Sequence, residues 1–255
     1  MNAKKVLVTR PLAQAKPMVA LLQSNGFEVE HYPCLAIEAV APQSAEGMQS
    51  KQLAMALSTF DHVIVISSNA AQHWLEITLD YWPQWPIGVQ WWAMGKSTQA
   101  KLIAQGIDTL RPTTGDTSEA LLLDLLPKIE ANHKVLIVRG VGGRETLRQA
   151  IEGQGARVHY AACYERQTPT FTATQLCEIA QFSPQAVMLQ SGETLANFDQ
   201  LLGDQAWCDK ASTVLVVPSL RIAKQAKAMG YQTILESTSA SDQSMCDTLI
   251  KSMPT

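Results

Sequence analysis

The sequence predicts an α/β protein made of two similar lobes, each a parallel sheet flanked by helices. Three observations carry that expectation. Short, nearly continuous β-branched runs alternate with helical patterns, the helical stretches end in glycine, and the two halves of the chain match one another.

Six runs of strand length recur along the chain: KVLVTR from Lys5, HVIVIS from His62, VQWWAM from Val89, KVLIVRG from Lys134, QAVMLQ from Gln185 and TVLVVPS from Thr213. Each is apolar at almost every position, as in strands covered by helices on both faces. Amphipathic stretches lie between them. In Ser118–Leu126, for example, Leu121, Leu122, Leu125 and Leu126 recur at helical spacing. Four such stretches end at Gly26, Gly106, Gly155 or Gly230, each followed by a short strand pattern: GFEVE, GIDTL, GARVH and GYQTI. Glycine there accepts the left-handed conformation that closes a helix. The resulting βαβα order argues for a parallel sheet.

The repeat runs through most of the chain. Lys5–Arg10 aligns with Lys134–Arg139, Gly26 with Gly155, Val29 with Val158 and Cys34 with Cys163, all 129 residues apart. Ser68 matches Ser191 at 123 residues and Gly106 matches Gly230 at 124. Two copies are too few for a solenoid, so the pattern reads as a duplication. Two stretches break it at equivalent places, Leu35–Ser44 and Tyr164–Thr172. If the chain crosses between lobes at both, residues 1–35 plus 172–255 form one lobe and 36–171 the other, with a two-stranded linker. A simple split into N-terminal and C-terminal halves fits the periodicity equally well.

Net charge is −3, with 17% charged residues and no long single-sign run. Nothing therefore points to nucleic acid, and an anionic ligand must be met by local donors. The five cysteines are scattered without CxxC or Cys/His spacing, which argues against a zinc site and a disulfide framework. The apolar run near the N-terminus, Val6–Val8, is far shorter than a signal or membrane segment. The expectation is a metal-free cytoplasmic protein without a membrane span.

Ligands of parallel α/β sheets bind beyond the carboxyl ends of strands, where helix N-termini present free N–H groups. Polar clusters fall at six such ends: Arg10; Ser67, Ser68 and Asn69; Lys96, Ser97 and Thr98; Arg139, Gly142, Gly143 and Arg144; Ser191, Gly192 and Thr194; Ser219 and Arg221. Each serine or threonine, taken singly, also fits a helix N-cap. Together the clusters supply many donors and few full charges. The segment RGVGGRE lacks a Walker ending and dinucleotide spacing, and reads as an anion-contacting turn with two arginines suited to carboxylates. No GxSxG elbow or Cys/His pairing marks a nucleophile. The tryptophans from Trp74 to Trp92 lack interleaved basic residues and read as packing.

The ordered set VLVTRP, ISSNAA, MGKST, RGVGGRE, ACYER and SGET resembles the uroporphyrinogen-III synthase family of bacterial type, over nearly the whole chain. The resemblance implies two α/β lobes joined by a two-stranded linker, which favours the double crossing, with a cleft that takes the substrate. It implies hydroxymethylbilane as substrate, closed to uroporphyrinogen III with loss of water and inversion of ring D, and no cofactor. It implies an enzyme of heme biosynthesis, with a transient hand-off from hydroxymethylbilane synthase, while the lack of an interface stripe in the sequence leaves a monomer as the expectation. Tyr164, within CYER, matches the family's tyrosine and would assist departure of the hydroxyl as a weak acid. Thr98 matches the family's GxxT turn, and Ser67-Ser68 its Thr-Ser pair, with Ser67 departing conservatively. The competing expectation is a two-lobed, non-enzymatic binding or sensor protein for a small anionic ligand.

Overall fold

The computed structural model describes residues 3–253. They divide into two compact units: the chain up to Ala36 together with the chain from Gln167 onward, and Ile37–Arg166.

In the first unit five strands pair in the order β11-β10-β9-β1-β2, all parallel: β1 Lys5–Val8, β2 Glu28–His31, β9 Ala186–Met188, β10 Val214–Val217 and β11 Ile234–Glu236. Alternation along β1 sets the two faces. Val6 and Val8 pack with Met18 and Leu22 of α1 (Leu12–Ser24) and with Met245 and Leu249 of α10 (Asp242–Ser252). Leu7 joins the opposite core, with Phe198 of α8 (Gly192–Leu202), Ile222 of α9 (Leu220–Ala228) and Ile179 of α7 (Ala173–Phe182). Helices thus cover both faces of this sheet, which accounts for the continuously apolar sequence of its strands.

The second unit repeats this order. Its sheet runs β3-β8-β7-β4-β5-β6, with β4 His62–Val65, β5 Gln90–Ala93, β6 Thr109–Leu110, β7 Lys134–Gly140 and β8 Arg157–Gln167 mutually parallel. Val63, Val65 and Leu136 meet Trp74 of α3 (Ser68–Thr78), Leu102 of α4 (Lys96–Ile103) and Ala54 of α2 (Ala45–Met55). Ile64, Val135 and Ile137 meet Leu121 and Leu125 of α5 (Ser118–Leu125) and Ile151 of α6 (Thr146–Glu152). Trp74 and Trp92 are buried in these cores, and the Trp82 and Trp85 indoles donate to Ala54 O and Gln105 O, both at 2.7 Å.

The four glycines at helix-to-strand junctions have positive φ: Gly26 84°, Gly106 77°, Gly155 83° and Gly230 98°. The two stretches that break the repeat both contain strand. Within Leu35–Ser44, residues Ala36–Ala39 form β3, an edge strand beside β8. β8 itself runs on through Tyr164 to Gln167, so the tyrosine lies inside a sheet strand. No helix among the described residues is long and apolar enough to cross a membrane.

Candidate functional site

Each sheet reverses strand order at one place, between β1 and β9 in the first unit and between β7 and β4 in the second. The carboxyl ends beside that reversal are where this architecture binds ligands. In the second unit the reversal opens on a cavity of about 170 Å³, lined by Ile66, Arg139, the 140–144 loop, Tyr160, Tyr164 and Arg166 among others.

The loop has a clear origin in the repeat. β1 corresponds to the start of β7, and α1 begins at Leu12, whose equivalent is Val141. Yet α6 begins only at Thr146. The residues that form the first turn of helix in one copy are unwound in the other, through Gly142 at φ 74° and Gly143 at φ 110°. Glycine adopts such angles without the Cβ penalty.

Tyr164 is buried, 2% exposed. Its position depends on a register shift: Arg139 pairs with Ala162, but Gly140 pairs with Tyr164, so Cys163 is the extra residue of a bulge. A bulge re-aims the side chain that follows it. The ring packs over Gly140 and is stacked on His73 with centroids 5.9 Å apart. Its hydroxyl lies 3.4 Å from Ser67 Oγ. The neighbouring Cys163 has its thiol pushed up to about 12 by burial.

Ser67 is the N-cap of α3, its Oγ accepting from Ala70 N–H at 3.0 Å, and Ser68 and Asn69 form the half-buried first turn. Ser191 caps α8 in the same way through Thr194 N–H at 3.0 Å, and Gly192 opens that helix. Ser219 occupies the N-cap of α9 without a side-chain cap bond, and Arg221 is exposed on its first turn. Lys96 and Ser97 open α4, where Gly95 holds the N-cap position.

Two groups differ from the expected donor role. Thr98 and Thr194 are buried at 2% and 3% exposure, the latter's hydroxyl 2.9 Å from Ser191 Oγ. Each is the third residue of its helix, on the buried face. The strand-end arginines are also engaged. Arg10 forms an ion pair with Asp242 and approaches Ala240 O at 3.4 Å. Arg139 bonds back into its own loop, to Gly142 O, to Arg144 O at 3.3 Å and to Glu145 Oε1 at 3.3 Å. Arg144 remains exposed.

Sequence reasoning did not single out Tyr160, Glu145 or Arg148. Two guanidinium groups lie over the Tyr160 ring, Arg139 at 4.6 Å and Arg148 at 4.3 Å from its centroid, and its hydroxyl donates to Glu145 Oε2 at 2.7 Å. That hydrogen bond, followed by the nearby Arg139, holds the Glu145 carboxyl below its usual range, while burial and the carboxylate push Tyr160 up. The repeat contained a signal, since Tyr160 stands where the first copy has His31, bonded to Arg10 O at 2.8 Å.

Comparison with known proteins agrees with the sequence resemblance. The family model for uroporphyrinogen-III synthase HemD matches residues 16–247. Uroporphyrinogen-III synthase of Escherichia coli (strain K12) is 29% identical, covering 94% of this chain and 97% of its own length. That of Proteus mirabilis is 33% identical over 63% of this chain and 79% of its own. Among solved structures, the Helicobacter pylori enzyme matches with a TM-score of 0.61 at 13% identity, covering 98% of this chain and 99% of the other. A mutant enzyme from Thermus thermophilus matches at 0.59 and 15%, covering 98% and 97%. With a family model spanning most of its length, this chain belongs to the uroporphyrinogen-III synthase family, whose members are cyclizing lyases.

Proposed function

We propose that this chain converts hydroxymethylbilane to uroporphyrinogen III, with loss of water and inversion of ring D. The match of the family model over residues 16–247 carries the reading. The strand-end geometry supports it, because a substrate with eight carboxylates needs many dispersed hydrogen-bond donors rather than one strong acid. Helix N-termini supply these without a basic surface, which suits a net charge of −3.

In this reading Tyr164 acts as a weak general acid. A pyrrole nitrogen pushes out the terminal hydroxyl, which takes the phenolic proton and leaves as water. Ring closure releases one proton, which restores the tyrosine. Ser67 Oγ, 3.4 Å from the phenol, orients it. The remaining work is to hold the chain folded so that rearranged closure wins over direct closure. Within the second unit the first turns at Ser67–Asn69 and Lys96–Ser97, with the Gly142–Arg144 loop, take substrate carboxylates, and within the first unit the turns at Ser191–Gly192 and Ser219–Arg221 are the equivalent donors. Thr98 and Thr194 contribute by fixing their helices. The chain works as a monomer in the cytoplasm and receives its substrate from hydroxymethylbilane synthase.

The test is to supply hydroxymethylbilane, oxidise the product and separate the isomers. The type III porphyrin is expected, and type I alone would overturn the reading.

A further inference from the structure

Three donors converge on one carboxylate beside the cavity, and that carboxylate belongs to the chain itself. Glu145 accepts from the Tyr160 hydroxyl at 2.7 Å and from Arg139 Nη1 at 3.3 Å, with Arg148 Nη1 at 3.9 Å. Glu145 occupies the N-cap position of α6, but its side chain makes no cap bond. Its carbonyl accepts from Gln149 N–H at 2.9 Å as the helix begins, but its carboxylate is turned away from the free N–H groups of the first turn and toward the two arginines and Tyr160. The donors have further partners in the fold: Arg139 is 6% exposed and also donates to Gly142 O and Arg144 O, and Arg148 donates to Val158 O at 3.1 Å. The Glu145 side chain, by contrast, is 46% exposed at the end of a glycine loop. Arg139 and Tyr160 both line the cavity, and Arg139 Nε is buried with no partner.

We propose that Glu145 is a resident carboxylate that fills the Arg139–Tyr160–Arg148 site in the free protein and yields it to a carboxylate of the substrate. This deepens the proposed function and rests on it. Exchange of one carboxylate for another keeps all three donors satisfied in both states, so the buried arginine is never left unpaired. The exchange also weakens binding, because the incoming group must displace an intramolecular partner. Glu145 thus sets affinity, and removing its charge should strengthen binding. A purely structural Glu145 would have the opposite effect, since its loss would loosen the loop and weaken binding.

The experiment compares wild type with Glu145→Gln, using binding of uroporphyrin III, the octacarboxylate from oxidised product, followed by tryptophan fluorescence, and KM for hydroxymethylbilane. Glu145→Gln should bind uroporphyrin III roughly three- to tenfold more tightly and lower KM to match. Unchanged or weaker binding would overturn the proposal. Tyr160→Phe serves as the second variant: in its background the gain from Glu145→Gln should shrink, and an undiminished gain would also overturn the site by reducing Glu145 to a distant charge. Formation of the type III isomer by wild type tests the parent reading separately, so the two failures are distinguishable.

Discussion

A β-carbon on Gly140 would stand 2.7 Å from Cζ of Tyr164. The tyrosine ring therefore occupies space that only glycine leaves open. Gly140→Ala should push the ring off its place, at an overpacking cost of about 1–3 kcal/mol. Type III formation should fall further than the urea midpoint predicts. Full activity with a lowered midpoint would show that ring position does not matter to turnover.

Tyr164→Phe keeps the ring and removes only the hydroxyl. The phenol's contact with Ser67 Oγ is long, at 3.4 Å, so stability should change by less than about 1 kcal/mol. Turnover should drop several-fold or more. Single-turnover rates measured alongside the melting temperature separate the two effects, and unaltered rates would remove the residue from the chemistry.

Adjacent glycines in the loop should respond differently. A β-carbon on Gly142, at φ 74°, meets open space, so Gly142→Ala carries backbone strain alone, about 1–2 kcal/mol. At Gly143, φ 110°, the new carbon would collide with Arg139 Nη2. Gly143→Ala should therefore weaken uroporphyrin III binding more than Gly142→Ala does. Equal losses in fluorescence titrations would count against a role for Arg139's placement.

Thr9 Oγ1 donates to Met188 O at 2.7 Å, joining the ends of β1 and β9 where the first sheet reverses order. The threonine is fully buried. Thr9→Val keeps the shape but removes the hydroxyl that this carbonyl accepts from, and should cost about 1–3 kcal/mol in denaturant unfolding.

His62 makes stability depend on pH. Burial holds its pKa below the ordinary 6.5, with His133 adding to the effect against a nearby Asp61. Glu130 N–H donates to His133 Nδ1 at 3.1 Å, so His62 Nε2, 3.2 Å from the same atom, must be the donor of that pair. The folded state then binds fewer protons than the unfolded one as pH falls through 6.5 toward the lowered value. Stability is retained above that window and lost within it. His159, also lowered by burial and by neighbouring cations, contributes in the same direction. His62→Gln should flatten the slope of unfolding free energy between about pH 7 and 5, and an unchanged slope would assign the dependence elsewhere.

Much of the fold was legible in the sequence because its signals are local. The six apolar runs and the four glycine junctions appear as strands β1, β2 and β4–β11. Those patterns follow from φ/ψ preference and from strands covered on both faces. The caps Ser67 and Ser191 were legible for the same reason, since a cap is set by its own next three residues. Tyr160 and Glu145 were not, because neither has a local signature: one is an ordinary strand residue, the other an N-cap residue whose side chain makes no cap bond.

By itself, then, the sequence determined the elements, the duplication and the strand-end positions. Only the tertiary structure decided which copy completes which sheet. β1 pairs with β9 and β7 with β4, so each unit combines strands from both copies in one common order. The two copies present equivalent apolar strands, and nothing local distinguishes a partner such as Val135, paired with His62, from one as distant as Ala186, paired with Val6. That pairing is a long-range feature of the folded chain. The tertiary structure also placed the bulge at Cys163 that turns Tyr164 over Gly140, and the fold-back that pairs Arg139 with the chain's own carboxylate.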